Sequence, residues 1–126
     1  KKVEYDGILF DSHKEKNRYI VLRQAEKDGI ISHLELQPQY VLIPKITEKY
    51  VKHLKTKDKI CERTVQLAIT YRGDFRYKKD GAVVVEDVKA SPNHASMDKT
   101  FIIKEKLFRY EFGFPIRRVY KATESI

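Results

Sequence analysis

The sequence has no tryptophan, one methionine and a single cysteine, Cys61. One cysteine excludes an internal disulfide, and a reducing, cytoplasmic setting is the simplest expectation. No apolar run approaches the roughly 20 residues that a membrane-spanning helix needs, so no membrane partner is expected. The opening KKVEYDG carries no signal-peptide pattern and, without Met, is read as lacking the true start. Neither a glycine-rich phosphate loop nor a serine-nucleophile motif occurs. His13, His33, His53 and His94 are scattered without cysteine partners, which argues against zinc.

What the chain has in excess is positive charge. Its 126 residues fit one domain with one core, and they carry 26 Lys and Arg against 18 Asp and Glu, a net charge of +8. Such a balance serves solubility, or it points to a polyanionic partner, nucleic acid first. The charge is concentrated in KITEKYVKHLKTKDKICER, residues 45–63, which holds seven basic residues against three acidic ones.

Local signals order the elements. Ser12 and Glu15 match a capping box, Tyr19, Leu22 and Ala25 give helical spacing, and Asp28-Gly29 is a stop, predicting a helix over about 13–28. The N-terminal VEYDGILFDS reads as a short hairpin or an extended arm. Residues 30–43 read as a strand interrupted near Pro38. Residues 44–62 have no clean period and read as a basic loop or hairpin tip. Residues 63–77 are rich in β-formers, Asp80-Gly81 suits a two-residue turn, and AVVVEDVKA returns as the next strand. SPNH, 91–94, reads as loop. A second helix over 97–113 carries Phe101, Ile102, Phe108 and Phe112 and ends at Gly113, before a last strand at 114–120. The order α-β-β-β-α-β predicts an α/β fold of the α+β-like kind, a mixed sheet flanked by helices in a single domain. The final strand should lie parallel to the 82–90 strand.

A two-residue turn at Asp80-Gly81 pairs Lys79 with Ala82 and Tyr77 with Val84, and sets Asp74 opposite Asp87. Lys89 shares their face. Opposed carboxylates, with Cβ atoms about 5 Å apart, repel unless something neutralises them. A divalent cation does so, and Mg²⁺ is suited to one or two carboxylates, waters and a substrate phosphate. Lys89 would then hold water or stabilise phosphate charge. The plain alternative is a surface ion pair between Asp87 and Lys89 beside Arg72 and Arg76. Glu86 should point to the opposite face, toward Phe75, in a structural role.

These residues resemble the PD-(D/E)xK nuclease superfamily. Its motif is an Asp near a strand end, followed on the next strand by an acidic residue, any residue and Lys; here Asp74 is followed, after twelve residues, by Asp87-Val88-Lys89. The α-β-β-β-α-β order is similar to that superfamily's restriction-endonuclease-like core. FDSHKEKNRY, LELQP and VVEDVKA together resemble a small phage- and prophage-associated family of unknown function placed in the superfamily. The resemblance implies a metal-dependent endodeoxyribonuclease, acting on junctions or branched DNA in phage recombination or replication. It also implies that Glu15 joins Asp74 and Asp87 as a metal ligand, although Glu15 is equally the capping-box acid.

The expectation is therefore a DNA endonuclease using Mg²⁺, with Mn²⁺ as a substitute. Asp74, Asp87 and Glu15 would bind metal, with Lys89 completing the catalytic set. Lys52, Lys55, Lys57, Lys59, Arg72 and Arg76 would hold DNA. A homodimer is expected for paired cuts, with Tyr5, Ile8, Leu9 and Phe10 of the N-terminal arm offering surface or covering their own domain. The alternatives are a non-catalytic nucleic-acid-binding module on the same fold and an unrelated protein that binds acidic partners.

Overall fold

The computed structural model describes residues 1–126. In chain order the elements are β1 (Val3–Tyr5), β2 (Ile8–Phe10), α1 (His13–Lys27), β3 (Ser32–Leu36), β4 (Gln39–Ile43), β5 (Ile46–His53), β6 (Asp58–Gln66), β7 (Ile69–Arg72), β8 (Phe75–Lys79), β9 (Ala82–Val88), α2 (Pro92–Met97), α3 (Lys99–Phe112) and β10 (Arg117–Val119). The central sheet runs β10-β9-β8-β3, with β10 parallel to β9 and the other neighbours antiparallel. The mixed α/β architecture and the parallel final strand thus match expectation. No helix is long and apolar enough to cross a membrane.

The sheet separates two cores. On one face Tyr19, Leu22 and Ala25 of α1 pack with Phe75 and Tyr77 of β8, and Phe10 and Ile31 close that cluster. On the other face Phe101 and Phe108 of α3 pack with Val85 of β9, Tyr71, Leu42 and Ile116. The helical stripes read from the sequence face these cores, except that Ile102 joins neither cluster and Phe112 is exposed. The N-terminal arm is a hairpin against its own helix. Phe10 is buried, Ile8 packs on the first core, and the Tyr5 ring meets Tyr19 edge-on at 6.3 Å, while Leu9 is left exposed.

Several boundaries differ from the sequence reading, each for a local reason. The β-rich stretch 63–77 is not one strand, because it is broken at Leu67-Ala68 and at Gly73-Asp74. Gly73 packs so closely that an added Cβ would lie 3.1 Å from Val85 Cγ1 and 3.4 Å from the Tyr71 ring. The SPNH loop becomes the start of α2. The Ser91 hydroxyl accepts a hydrogen bond from the His94 N–H at 3.1 Å, and Pro92 occupies the first turn, where its missing N–H costs nothing. Asp98 then caps α3 by accepting from the Phe101 N–H at 3.0 Å, which splits the expected second helix. Of the loop and hairpin alternatives for the basic segment, the hairpin is the one formed, since β5 and β6 pair as a two-stranded ribbon that runs on to Gln66. The last strand is confined to 117–119.

One buried ion pair ties the layers together. Arg18 of α1 and Glu86 of β9 are fully buried and meet twice, Nε to Oε1 at 2.8 Å and Nη2 to Oε2 at 2.7 Å. Glu86 also accepts from the Tyr77 hydroxyl and from Arg117 of β10, and Arg18 donates to the carbonyls of Ala122 and Glu124 in the C-terminal tail. The expected structural role of Glu86 is therefore what the geometry gives. Removing one partner leaves the other charge buried and uncompensated, which costs about 3–5 kcal/mol. Glu86→Gln should accordingly lower the unfolding free energy by about that amount in urea titration, a large share of a typical 5–15 kcal/mol. Glu35→Gln, which removes the exposed partner of Arg76 at 3.5 Å, should change it by less than about 1 kcal/mol.

Candidate active site

Asp80 and Gly81 both have positive φ, +51° and +79°, as a two-residue type I′ turn requires. The turn fixes the register from Lys79↔Ala82 to Phe75↔Glu86. Asp74 immediately precedes β8, where the ladder ends, and its N–H donates to the Glu86 carbonyl at 3.0 Å, one residue out of register. Asp74 is therefore not paired directly opposite Asp87 as expected, although the Asp87 charge still acts on its carboxyl. Alternation then divides β9. Glu86 faces α1 and the ion pair, while Val85 and Asp87 face α3.

The side chains at this strand end are closely held. Asp74 Oδ2 accepts from the Val88 N–H at 2.7 Å. Asp87 Oδ2 accepts from the Tyr71 hydroxyl at 2.6 Å, and Asp87 Oδ1 lies 3.1 Å from Lys89 Nζ. The Lys89 ammonium lies 3.7 Å from the Phe101 ring centroid and 3.8 Å from Asp98 Oδ2. Lys14 anchors α1 to the same loop, its Nζ donating to the carbonyls of Lys89 and Ala90 at 3.3 and 2.9 Å. Glu15 enters from the first turn of α1. Ser12 caps that turn by accepting the Glu15 N–H at 3.1 Å, and the Glu15 carboxylate meets the Ser12 hydroxyl only at 3.5 Å, which leaves it free to reach Asp74.

Burial dominates the electrostatics. It pushes the Asp74 carboxyl up to about 9, helped by a hydrogen bond with Glu15 and by the charges of Asp87 and Glu15, against the opposing Val88 N–H. Burial also raises Asp87, with the Tyr71 hydroxyl and Lys89 holding it back. Tyr71 is raised in turn by its own burial and by the Asp87 carboxylate, so it stays a neutral donor.

The donor set fits a hard divalent cation, because Glu15, Asp74 and Asp87 offer only oxygen and repel one another. No three of the protein's His, Cys, Asp and Glu side chains enclose an ion position in the arrangement described. A Mg²⁺ shell completed by water and a substrate phosphate needs only one or two carboxylates, so this incomplete set remains compatible.

Among the residues singled out from sequence, Glu15, Asp74, Asp87 and Lys89 come together. The basic residues do not join them. Lys52 and Lys59 lie on the β5–β6 ribbon, Lys55 and Lys57 at its tip, Arg72 pairs with Asp11 at 3.6 Å and Arg76 with Glu35. Sequence reasoning missed Tyr71, Asp98, Phe101 and Lys14 at the site. None carries a local signal, since each is brought in by tertiary packing.

Residues 1–123 match the family described as Protein of unknown function (DUF1064), and the chain belongs to that family. No curated protein and no solved structure matches it.

The raised Asp74 carboxyl has a consequence for stability. An acid whose folded pKa stands near 9, against about 3.9 for a free Asp, destabilises the fold progressively as pH rises between those values. Without divalent cations, Asp74→Asn should therefore melt higher than wild type at pH 8, by about 4 °C for each kcal/mol relieved. The difference should close as pH falls toward 4. Scanning calorimetry across that range checks it, and added Mg²⁺ should raise the wild-type Tm at pH 8 but not that of the variant.

Proposed function

We propose that the protein is a Mg²⁺-dependent DNA endonuclease of the PD-(D/E)xK kind, with Mn²⁺ able to substitute. The observation that carries this reading is the convergence of Glu15, Asp74 and Asp87 beside Lys89 at one strand end, an arrangement that is costly without a cation. The order α1, β3, β8, β9, α3, β10 supports it, because a helix, three antiparallel strands, a helix and a parallel strand is the arrangement the motif implies. The net charge of +8 supports a polyanionic substrate. Branched DNA from phage recombination or replication is the substrate class that the sequence resemblance favours.

When bound, the cation polarises a phosphoryl oxygen and lowers the pKa of coordinated water. The protein's part is positioning and charge. Asp74 and Asp87 hold the cation from adjacent strands, and Glu15 adds a third carboxylate from α1. The Tyr71 hydroxyl fixes the Asp87 carboxylate in one orientation. Lys89, packed over Phe101, offers its ammonium to the attacking water or to the phosphate as negative charge builds there. One such site accepts one scissile phosphate. A single copy should nick, and paired cuts require a second copy, consistent with a homodimer on DNA.

Asp74→Asn and Asp87→Asn should each reduce Mg²⁺-dependent cleavage of linear, flapped and four-way DNA by more than about 100-fold while DNA binding persists. Glu15→Gln keeps an amide suited to the helix start but loses the charge, so the fold should remain and activity should fall about tenfold or more. Wild-type rates in either Asp variant would remove the metal-site assignment. Near-normal rates in Glu15→Gln would restrict Glu15 to the helix start.

A further inference from the structure

The β5–β6 ribbon is the least explained part of the molecule. Its two strands hydrogen-bond only to each other, and all its residues except Thr47 and Cys61 are exposed. An isolated two-stranded hairpin is marginal in water, so a ribbon of this length calls for a partner. The register divides it into two unlike faces. On one, Val51 opposes Ile60, Lys49 opposes Glu62, and His53 opposes Asp58 with Nδ1 to Oδ1 at 2.9 Å, so charge is compensated. On the other, Glu48 opposes Arg63 with Nε to Oε1 at 2.6 Å, while nearer the tip Lys52 directly opposes Lys59. Like charges in that position destabilise a ribbon. Beyond them the tip, closed by the Leu54 N–H donating to the Lys57 carbonyl at 2.9 Å, carries Lys55 and Lys57 into solvent.

The ribbon extends the β4–β7 pair away from the carboxylate site. It continues from the Ile43↔Ile69 end, while the opposite Gln39↔Arg72 end adjoins Asp74, with the Gly73 N–H donating to Pro38 O at 3.0 Å and Gln37 N–H to Asp74 O at 2.9 Å. Eight residues of β5 at about 3.4 Å each give a reach of about 27 Å, or about 8 base pairs of duplex. Its strands lie about 4.8 Å apart, and a two-stranded ribbon with its side chains enters a major groove about 12 Å wide but not a minor groove about 6 Å wide.

We infer that the ribbon is a duplex-DNA reader that lies in the major groove, set off from the carboxylate site by the β4–β7 pair, with Lys52 and Lys59 toward guanine O6 and N7 and with Lys55 and Lys57 on phosphates. The inference rests on the nuclease reading for the class of partner, but not on catalysis. It commits the protein to substrates with about 8 base pairs of duplex separated from the cut by the length of β4–β7.

The test uses the full chain and a guanine-rich 30-base-pair duplex without divalent cations, so that binding is read without cleavage. Wild type should shield guanine N7 from methylation over one block of the duplex. Lys52→Ala/Lys59→Ala should lose that protection and bind at least about fivefold more weakly. Lys55→Ala/Lys57→Ala should lower the log–log salt slope by about 1.8, from two phosphate contacts at about 0.9 each. Val51→Thr/Ile60→Thr, on the opposite face, should change neither. Reactive guanine N7 in the wild-type complex, or wild-type affinity in both lysine variants, overturns the inference. A protein that binds through the ribbon yet cuts nothing with Mg²⁺ keeps this inference and loses the nuclease reading. One that cuts with N7 open does the reverse.

Discussion

The fold hangs on the Arg18–Glu86 pair. A guanidinium and a carboxylate in a dry interior are each very costly alone, and they persist here because every polar atom nearby is used. Arg18 spans from α1 to β9 and to the C-terminal tail, and Tyr77 and Arg117 fill the remaining acceptor capacity of Glu86. The helix α1, the central sheet and the C-terminal tail are thereby fixed to one residue of β9. Because side chains alternate along a strand, locking Glu86 toward α1 also sends Asp87 toward α3. The buried pair therefore sets the orientation of the neighbouring carboxylate, and a one-residue slip in register would break both at once.

The other end of the argument is electrostatic. Asp74, Asp87 and Glu15 are gathered by three different elements: the end of β8, the end of β9 and the first turn of α1. Burial raises Asp74 and Asp87, and the neighbouring carboxylates add to it. A cluster of this kind lowers the stability of the metal-free protein, the pattern expected where a site is kept for function rather than for the fold. Lys89 offsets part of the charge on Asp87, and Phe101 and Asp98 hold its ammonium in place. We propose that a divalent cation and a phosphate complete this balance.

Much of this was legible in the chain because it is written in short-range signals. Asp80-Gly81 dictates a two-residue turn, and from that turn alone the pairing of β8 with β9 as far as Phe75↔Glu86 follows, while the shift at Asp74 does not. Ser12 and Asp28-Gly29 frame α1, and Gly113 ends α3. What was illegible depends on contacts between distant segments. Arg18 stands on the buried stripe of α1 between Glu15 and Leu22, and only the facing Glu86 explains a charge there. An unmatched Arg on one apolar stripe and an unmatched Glu on one apolar strand could have been paired from sequence, and that is the signal overlooked. Tyr71 gave no such hint. The break at Gly73 was hidden because β-propensity runs through it, while the close approach of Val85 and Tyr71 is a tertiary demand. The helix at Pro92 was hidden by Ser and Pro, which mark helix starts as readily as loops.

We propose that Asp74 and Asp87 share one divalent cation. Soaking crystals of the protein with Mn²⁺ and recording anomalous scattering tests it most directly. The account expects one strong peak in contact with both carboxylates, lost in Asp74→Asn and Asp87→Asn crystals that keep the same fold. Millimolar Mn²⁺ that leaves no peak there, or that binds only elsewhere, would contradict it.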